Sequence, residues 1–205
     1  MEARTERARD RQHEYESGDR YNAAKIPLRY RQTQTRAICP EWVEAYEAAR
    51  AEVLNPGATV FLVGDRGIGK THLACELIRV GCWRGLTGRY DTWSDITGRW
   101  RESMVGDSGK SEREIVAEYG RYGLLVIDEW EVAKDGEFGD RAFRELIDCR
   151  YRNMRSTVVL SNLSAEALVT RLDKSIVSRM QECGRVIPCE WKSLRASAME
   201  ARQAK

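Results

Sequence analysis

The chain has 205 residues, 42% of them hydrophobic, which suits one α/β domain with a short extension. Its 34 basic and 32 acidic side chains leave a net charge of only +2, which excludes coating nucleic acid through bulk charge; any such contact must be a local patch. No apolar run approaches the ~18 residues of a membrane span, and the N-terminus alternates Arg with Glu and Asp, without the apolar stretch of a secretory signal.

Residues 1–24 (MEARTERARDRQHEYESGDRYNAA) contain almost no large aliphatic side chain. They are read as unable to bury a core of their own: either a disordered tail or a solvated helix awaiting a partner. Globular composition begins at KIPLRY. In EWVEAYEAARAEVL, Trp42, Val43, Tyr46 and Ala49 recur at helical spacing, and NPG (55–57) ends that helix as turn chemistry. Strand and helix then alternate. TVFLVG (59–64), GRYDTW (88–93), GLLVID (123–128), STVVLSN (156–162) and RVIPCEW (185–191) read as strands. Helical patterns lie between them: KTHLACELIRVGC, SDITGRWRESM with Ser94 as its expected N-cap, REIVAEYGRY, DRAFRELIDCRY, and SAEALVTRL capped by Ser164. Apolar strands alternating with helices predict a parallel sheet covered on both faces.

The six cysteines (Cys39, Cys75, Cys82, Cys149, Cys183, Cys189) form no C-x-x-C pair and have no histidine at zinc spacing. They read as reduced thiols packed as small hydrophobes, which implies an intracellular protein.

The chemistry begins at Gly64-Asp65-Arg66-Gly67-Ile68-Gly69-Lys70-Thr71, a full match to G-x-x-x-x-G-K-[ST] between a strand and a helix. Glycines let backbone N–H groups approach phosphate oxygens, and the helix aims its positive end at the same anion. Lys70 adds a charge for the β- and γ-phosphates, and the Thr71 hydroxyl is a ligand for Mg²⁺. LLVIDEW places Asp128 and Glu129 at the C-terminal end of a strand, where α/β sheets bind ligands. Asp128 is read as supporting Mg²⁺, and Glu129 as orienting or deprotonating the attacking water. Asn162, at the end of another apolar strand, reads either as a contact to the γ-phosphate or as an Asx turn closing the strand. Arg179 and Arg195 follow in order.

From KIPLRY (25–30) to WKSLR (191–195) this series resembles the AAA+ ATPases of the DnaC/IstB type, the bacterial and phage replicative-helicase loaders and transposition helpers. Ile26, Pro27, Arg29 and Tyr30, then THLA after the phosphate loop, LLVIDE, LIDCRY running into SNL, and SR ahead of W-x-S-x-R carry the resemblance. It implies a P-loop three-layer sandwich around a mostly parallel five-stranded sheet, with a short helical or disordered extension over 1–35 that grips a helicase and an ATPase core over 36–205. It implies binding of ATP or ADP with Mg²⁺ through Ile26, Tyr30, Asp65, Arg66, Gly67, Ile68, Gly69, Lys70, Thr71 and His72, with Arg195 as sensor 2. Asn162 becomes sensor 1 and Arg179 the arginine finger acting on a neighbouring subunit, so a homo-oligomer in the ATP state is expected, with slow hydrolysis by an isolated subunit. The implied partners are a DnaB-type replicative helicase and single-stranded DNA, in the bacterial cytoplasm and in the setting of a phage or prophage replication module. WSDITGRWRESM falls where loaders carry a helix facing single-stranded DNA. Trp93, Arg99, Trp100 and Arg101 there offer stacking faces and phosphate charges, or else turn their aromatics into the core. The alternative within the same family is an IstB-like transposition helper on duplex DNA.

Overall fold

The computed structural model describes residues 2–31, 39–105, 109–130 and 136–192, with side chains of the first helix from position 12 onward. Among them, helices α1 (Glu2–Ala23), α2 (Leu28–Arg31) and α3 (Pro40–Val53) precede strand β1 (Thr59–Val63). Then follow α4 (Lys70–Trp83), β2 (Gly88–Thr92), α5 (Trp93–Val105), α6 (Glu112–Arg121), β3 (Leu124–Asp128), α7 (Gly136–Arg152), β4 (Ser156–Ser161), α8 (Ala165–Arg171), α9 (Lys174–Cys183) and β5 (Gly184–Pro188). The five expected strands all form.

They make one sheet in the order β2-β3-β4-β1-β5, every pairing parallel. Because strand side chains alternate between faces, each apolar run feeds two cores. Val60, Leu62, Val126, Val158 and Leu160 pack beneath α3 and α4, while Phe61, Val63, Leu125, Ile127 and Val159 pack beneath α5, α7 and α9. The result is the expected α/β three-layer sandwich. Inserting β4 between β1 and β3 has a functional consequence: the C-terminal ends of the three central strands lie side by side.

Arg150, the arginine of LIDCRY, is 0% exposed. Its guanidinium donates to the carbonyls of Tyr119, Tyr122 and Ser156 and to the Thr157 hydroxyl. A buried cation is tolerable when its fork of donors is satisfied, and here it ties the end of α6 to the start of β4.

Two expectations are corrected. α1 does not stand off from the core. The His13 and Trp83 rings meet edge-on at 4.6 Å, and Arg79 of α4 donates to the Tyr21 hydroxyl at 3.2 Å with its guanidinium over the ring. Ala24 and Ile26 are buried with α3 and α4, and the Ala24 carbonyl accepts from the Tyr90 N–H at 2.8 Å. A chain poor in aliphatics docks through a few aromatic and arginine contacts. Nor is Ser94 the cap of α5. The helix starts at Trp93, and the Thr92 hydroxyl accepts from the Asp95 N–H at 3.1 Å. Ser164 does cap α8, accepting from the Ala167 N–H.

Candidate nucleotide site

The loop from Gly64 to Gly69 leaves the end of β1 and turns into α4. Gly64, Gly67 and Gly69 hold φ of 136°, 86° and 97°, conformations that side-chain-bearing residues rarely adopt. At Gly64 the requirement is also steric, since a Cβ there would stand 2.3 Å from the Cys189 carbonyl oxygen. The loop is strapped from outside by the chain that follows β5. The Cys189 N–H donates to the Val63 carbonyl at 2.7 Å, and the Trp191 indole N–H donates to the Ile68 carbonyl at 2.6 Å.

α4 begins with Gly69 as N-cap, no side-chain cap and no acidic residue in its first turn. The unpaired N–H groups of a helix start carry positive charge and demand an acceptor. Lys70 adds its ammonium, which donates to the carbonyls of Gly64 (2.6 Å) and Asp65 (2.8 Å) and to Asn162 Oδ1 (3.1 Å). Burial pushes the Lys70 pKa down, with Asp128 and Asp65 among the charges that oppose the shift. A cationic, uncapped helix start lined by glycine suits a polyphosphate.

Asp128 ends β3 on the face toward α4, 8% exposed. Its Oδ2 accepts from the Thr71 hydroxyl at 2.9 Å and from the Tyr90 hydroxyl at 2.6 Å, while Oδ1 accepts from the Glu129 N–H at 2.7 Å. One hydroxyl and one carboxylate are the donors that Mg²⁺ takes from a protein when phosphate and water complete its shell, so the pair fits the ion. Glu129 follows at φ 56°, exposed. This left-handed turn lets Asp128 and Trp130 point inward and Glu129 outward; such strain in a non-glycine residue clusters at functional sites. Asn162 sits directly after β4, between the loop and β3, which is how it reaches Lys70.

Of the other expected site residues, Asp65 and Arg66 are exposed on the loop and Ile68 is buried under it. Ile26 is 1% exposed and belongs to the core below α4. Tyr30 lies beside His72, ring centroids 6.3 Å apart, and burial lowers the His72 pKa. Arg179 is half-buried on α9, 2.8 Å from Asp148 of α7 and over the Tyr151 ring. Arg195 lies outside the described residues.

On α5 the tryptophans take the buried alternative. Trp93 and Trp100 are 3% and 1% exposed within the core under α5 and α7, so neither presents a stacking face. Arg99 is held by both carboxylate oxygens of Glu118 and by the Tyr119 hydroxyl, and the Arg101 guanidinium lies over the Phe138 ring. The tryptophans repeat at a seven-residue interval, which puts them on one helical face; that is the spacing of a buried stripe. Tyr90 and Trp191 went unassigned in the sequence. Register could have found Tyr90, since it pairs with Val126 and so shares a face with Asp128, two residues on. No sequence signal places Trp191 against Ile68.

A family model described as "IstB-like ATP binding protein" matches residues 4–198. YdaV of Escherichia coli K12 is 31% identical over 157 residues, 76% of this chain and 62% of that protein. The replicative helicase loader DnaC of the same strain is 27% identical over 124 residues, 60% of this chain and 50% of that one. The chain therefore spans about half to three-fifths of these relatives' lengths. Among solved structures, the DnaC helicase loader superposes with a TM-score of 0.62 at 22% identity, covering 83% of this chain and 99% of that one. AMPPCP-bound DnaA from Aquifex aeolicus gives 0.66 at 19%, covering 86% and 56%. These likenesses show an AAA+ fold.

Proposed function

The chain belongs to the IstB-like ATP-binding family of AAA+ proteins, and from that premise we propose that it is an ATPase that loads a DnaB-type replicative helicase onto single-stranded DNA. ATP binding drives assembly and hydrolysis drives release. The observation that carries the nucleotide half of this reading is the meeting of Lys70, Thr71, Asp128 and Asn162 at the mouth of the Gly64–Gly69 loop. The likeness to DnaC over 124 residues supports the helicase half.

In this reading the uncapped start of α4 and Lys70 receive the β- and γ-phosphates. Thr71 and Asp128 would hold Mg²⁺, which would neutralise charge on the phosphates. Glu129 orients the attacking water and takes its proton, and Asn162 contacts the γ-phosphate from the end of β4. Arg179 acts on the nucleotide of an adjacent subunit, exchanging Asp148 for that phosphate, and Arg195 closes on the phosphates within its own subunit. An isolated subunit then hydrolyses slowly, and oligomerisation or DNA stimulates it. The single-stranded DNA contacts lie on a surface other than the tryptophan face of α5.

The test is helicase-dependent displacement of an oligonucleotide annealed to a single-stranded template that is coated with single-strand-binding protein. The parent should raise unwinding in ATP. Glu129→Gln should still bind ATP and helicase but lose turnover by about a hundredfold or more. A parent that hydrolyses ATP yet neither binds nor recruits the helicase overturns the loader reading.

A further inference from the structure

We infer that Tyr90 is a positioning residue for the metal site: its hydroxyl fixes the Asp128 carboxylate in the orientation that Mg²⁺ requires. The inference rests on the ATP·Mg²⁺ reading above. Tyr90 lies on β2, beside β3, and its hydroxyl donates to Asp128 Oδ2 at 2.6 Å with both residues 8% exposed. That oxygen also accepts from Thr71, and the other oxygen is taken by the Glu129 N–H. The carboxylate is thus gripped at both oxygens by donors from β2, α4 and the residue that follows β3, and its plane is set before any ion arrives. A carboxylate that serves a cation usually has such a partner, because an unheld side chain loses rotamer freedom on binding and turns lone pairs away from the metal.

The backbone fixes Tyr90 in turn. Its N–H donates to the Ala24 carbonyl at 2.8 Å, which closes the outer edge of β2, and its ring packs in the core with Ala24, Ile26 and Leu73. Through one residue, the segment that follows α1 bears on the carboxylate of the phosphate site. Phenylalanine at this position would keep the ring and the strand and remove only the donor.

The experiment is calorimetric titration of ADP and a non-hydrolysable ATP analogue into the parent and Tyr90→Phe, first with EDTA and then across a Mg²⁺ series, with melting temperatures alongside. Loss of an orienting hydrogen bond should raise the Mg²⁺ concentration for half-maximal enhancement of binding by about tenfold, with the metal-free affinity within about twofold and the melting temperature lower by only a few degrees. An unchanged Mg²⁺ requirement overturns the inference. So does a parallel fall of metal-free affinity and melting temperature, which marks Tyr90 as a packing residue only. A parent that binds no nucleotide overturns the functional reading itself, a distinct result.

Discussion

The starts of α4 and α5 both follow the C-terminal end of a parallel strand, α4 through the Gly64–Gly69 loop and α5 directly after Thr92, and each helix carries a cation, Lys70 at its start and Arg99 further along. One is open and the other is closed on itself. α4 starts from a left-handed glycine with no capping side chain and no acid in its first turn. At α5 the Thr92 hydroxyl accepts from the Asp95 N–H and donates to the Asp95 carboxylate at 2.7 Å, so the helix start already carries its own acceptor and its own negative charge. The cations differ in the same way. Lys70 is tethered by neutral carbonyls and an amide, which a phosphate displaces without separating an ion pair, whereas Arg99 is locked to Glu118. Glu118 is held down to a pKa of about 2, by the Arg99 hydrogen bond first and with help from Lys110. A βα junction signals an anion site by what is missing from its cap rather than by the number of basic residues nearby.

The comparison is broken most severely at Trp100. Replacing it with Ala should cost about 3–5 kcal/mol of stability, as for a buried aromatic, read as a drop in chemical-denaturation midpoint. A Trp100→Ala chain that keeps its stability and loses only DNA binding would restore the stacking face to α5. Next comes a matched pair. Lys70→Ala should weaken ATP binding by about a hundredfold, the order expected for losing a charged donor to phosphate, whereas Arg99→Ala should leave it within about twofold. Equal losses in calorimetry would mean that both helix starts serve the nucleotide. The smallest effect sharpens the contrast: Thr92→Ala should destabilise the chain by about 1 kcal/mol through loss of a cap, with ATP affinity unchanged. A fall in affinity without a fall in melting temperature would show that the closed cap reaches the site.

The phosphate loop was legible from sequence because its chemistry is local. Glycines at fixed intervals and a Lys-Thr pair do their work within a dozen residues, and the strand and helix around them are set by apolar periodicity alone. The five strands and the α8 cap were legible for the same reason. The helix of α5 was legible too, but its facing was not, because WSDITGRW supports either a stacking surface or a buried stripe until the opposing face is known; α7 supplies Phe143, whose ring meets Trp93 at 5.4 Å. That α1 forms a helix was one of the two readings open, but its docking was not legible, because composition measures how much apolar area a segment can bury on its own, and says nothing of a few specific contacts to Arg79, Trp83 and β2.

The sequence by itself determined the class of fold, the loop that cradles phosphate, and the pairing of Thr71 with a carboxylate at a strand end, since each follows from short-range pattern. Only the tertiary structure decided strand order, and strand order decided the site. Placing β4 between β1 and β3 brings Asn162 to Lys70, and placing β2 outside β3 brings Tyr90 to Asp128. Contacts between residues 92 and 38 positions apart depend on which strands hydrogen-bond to one another, a choice made by the packing of whole faces and carried by no single stretch of chain.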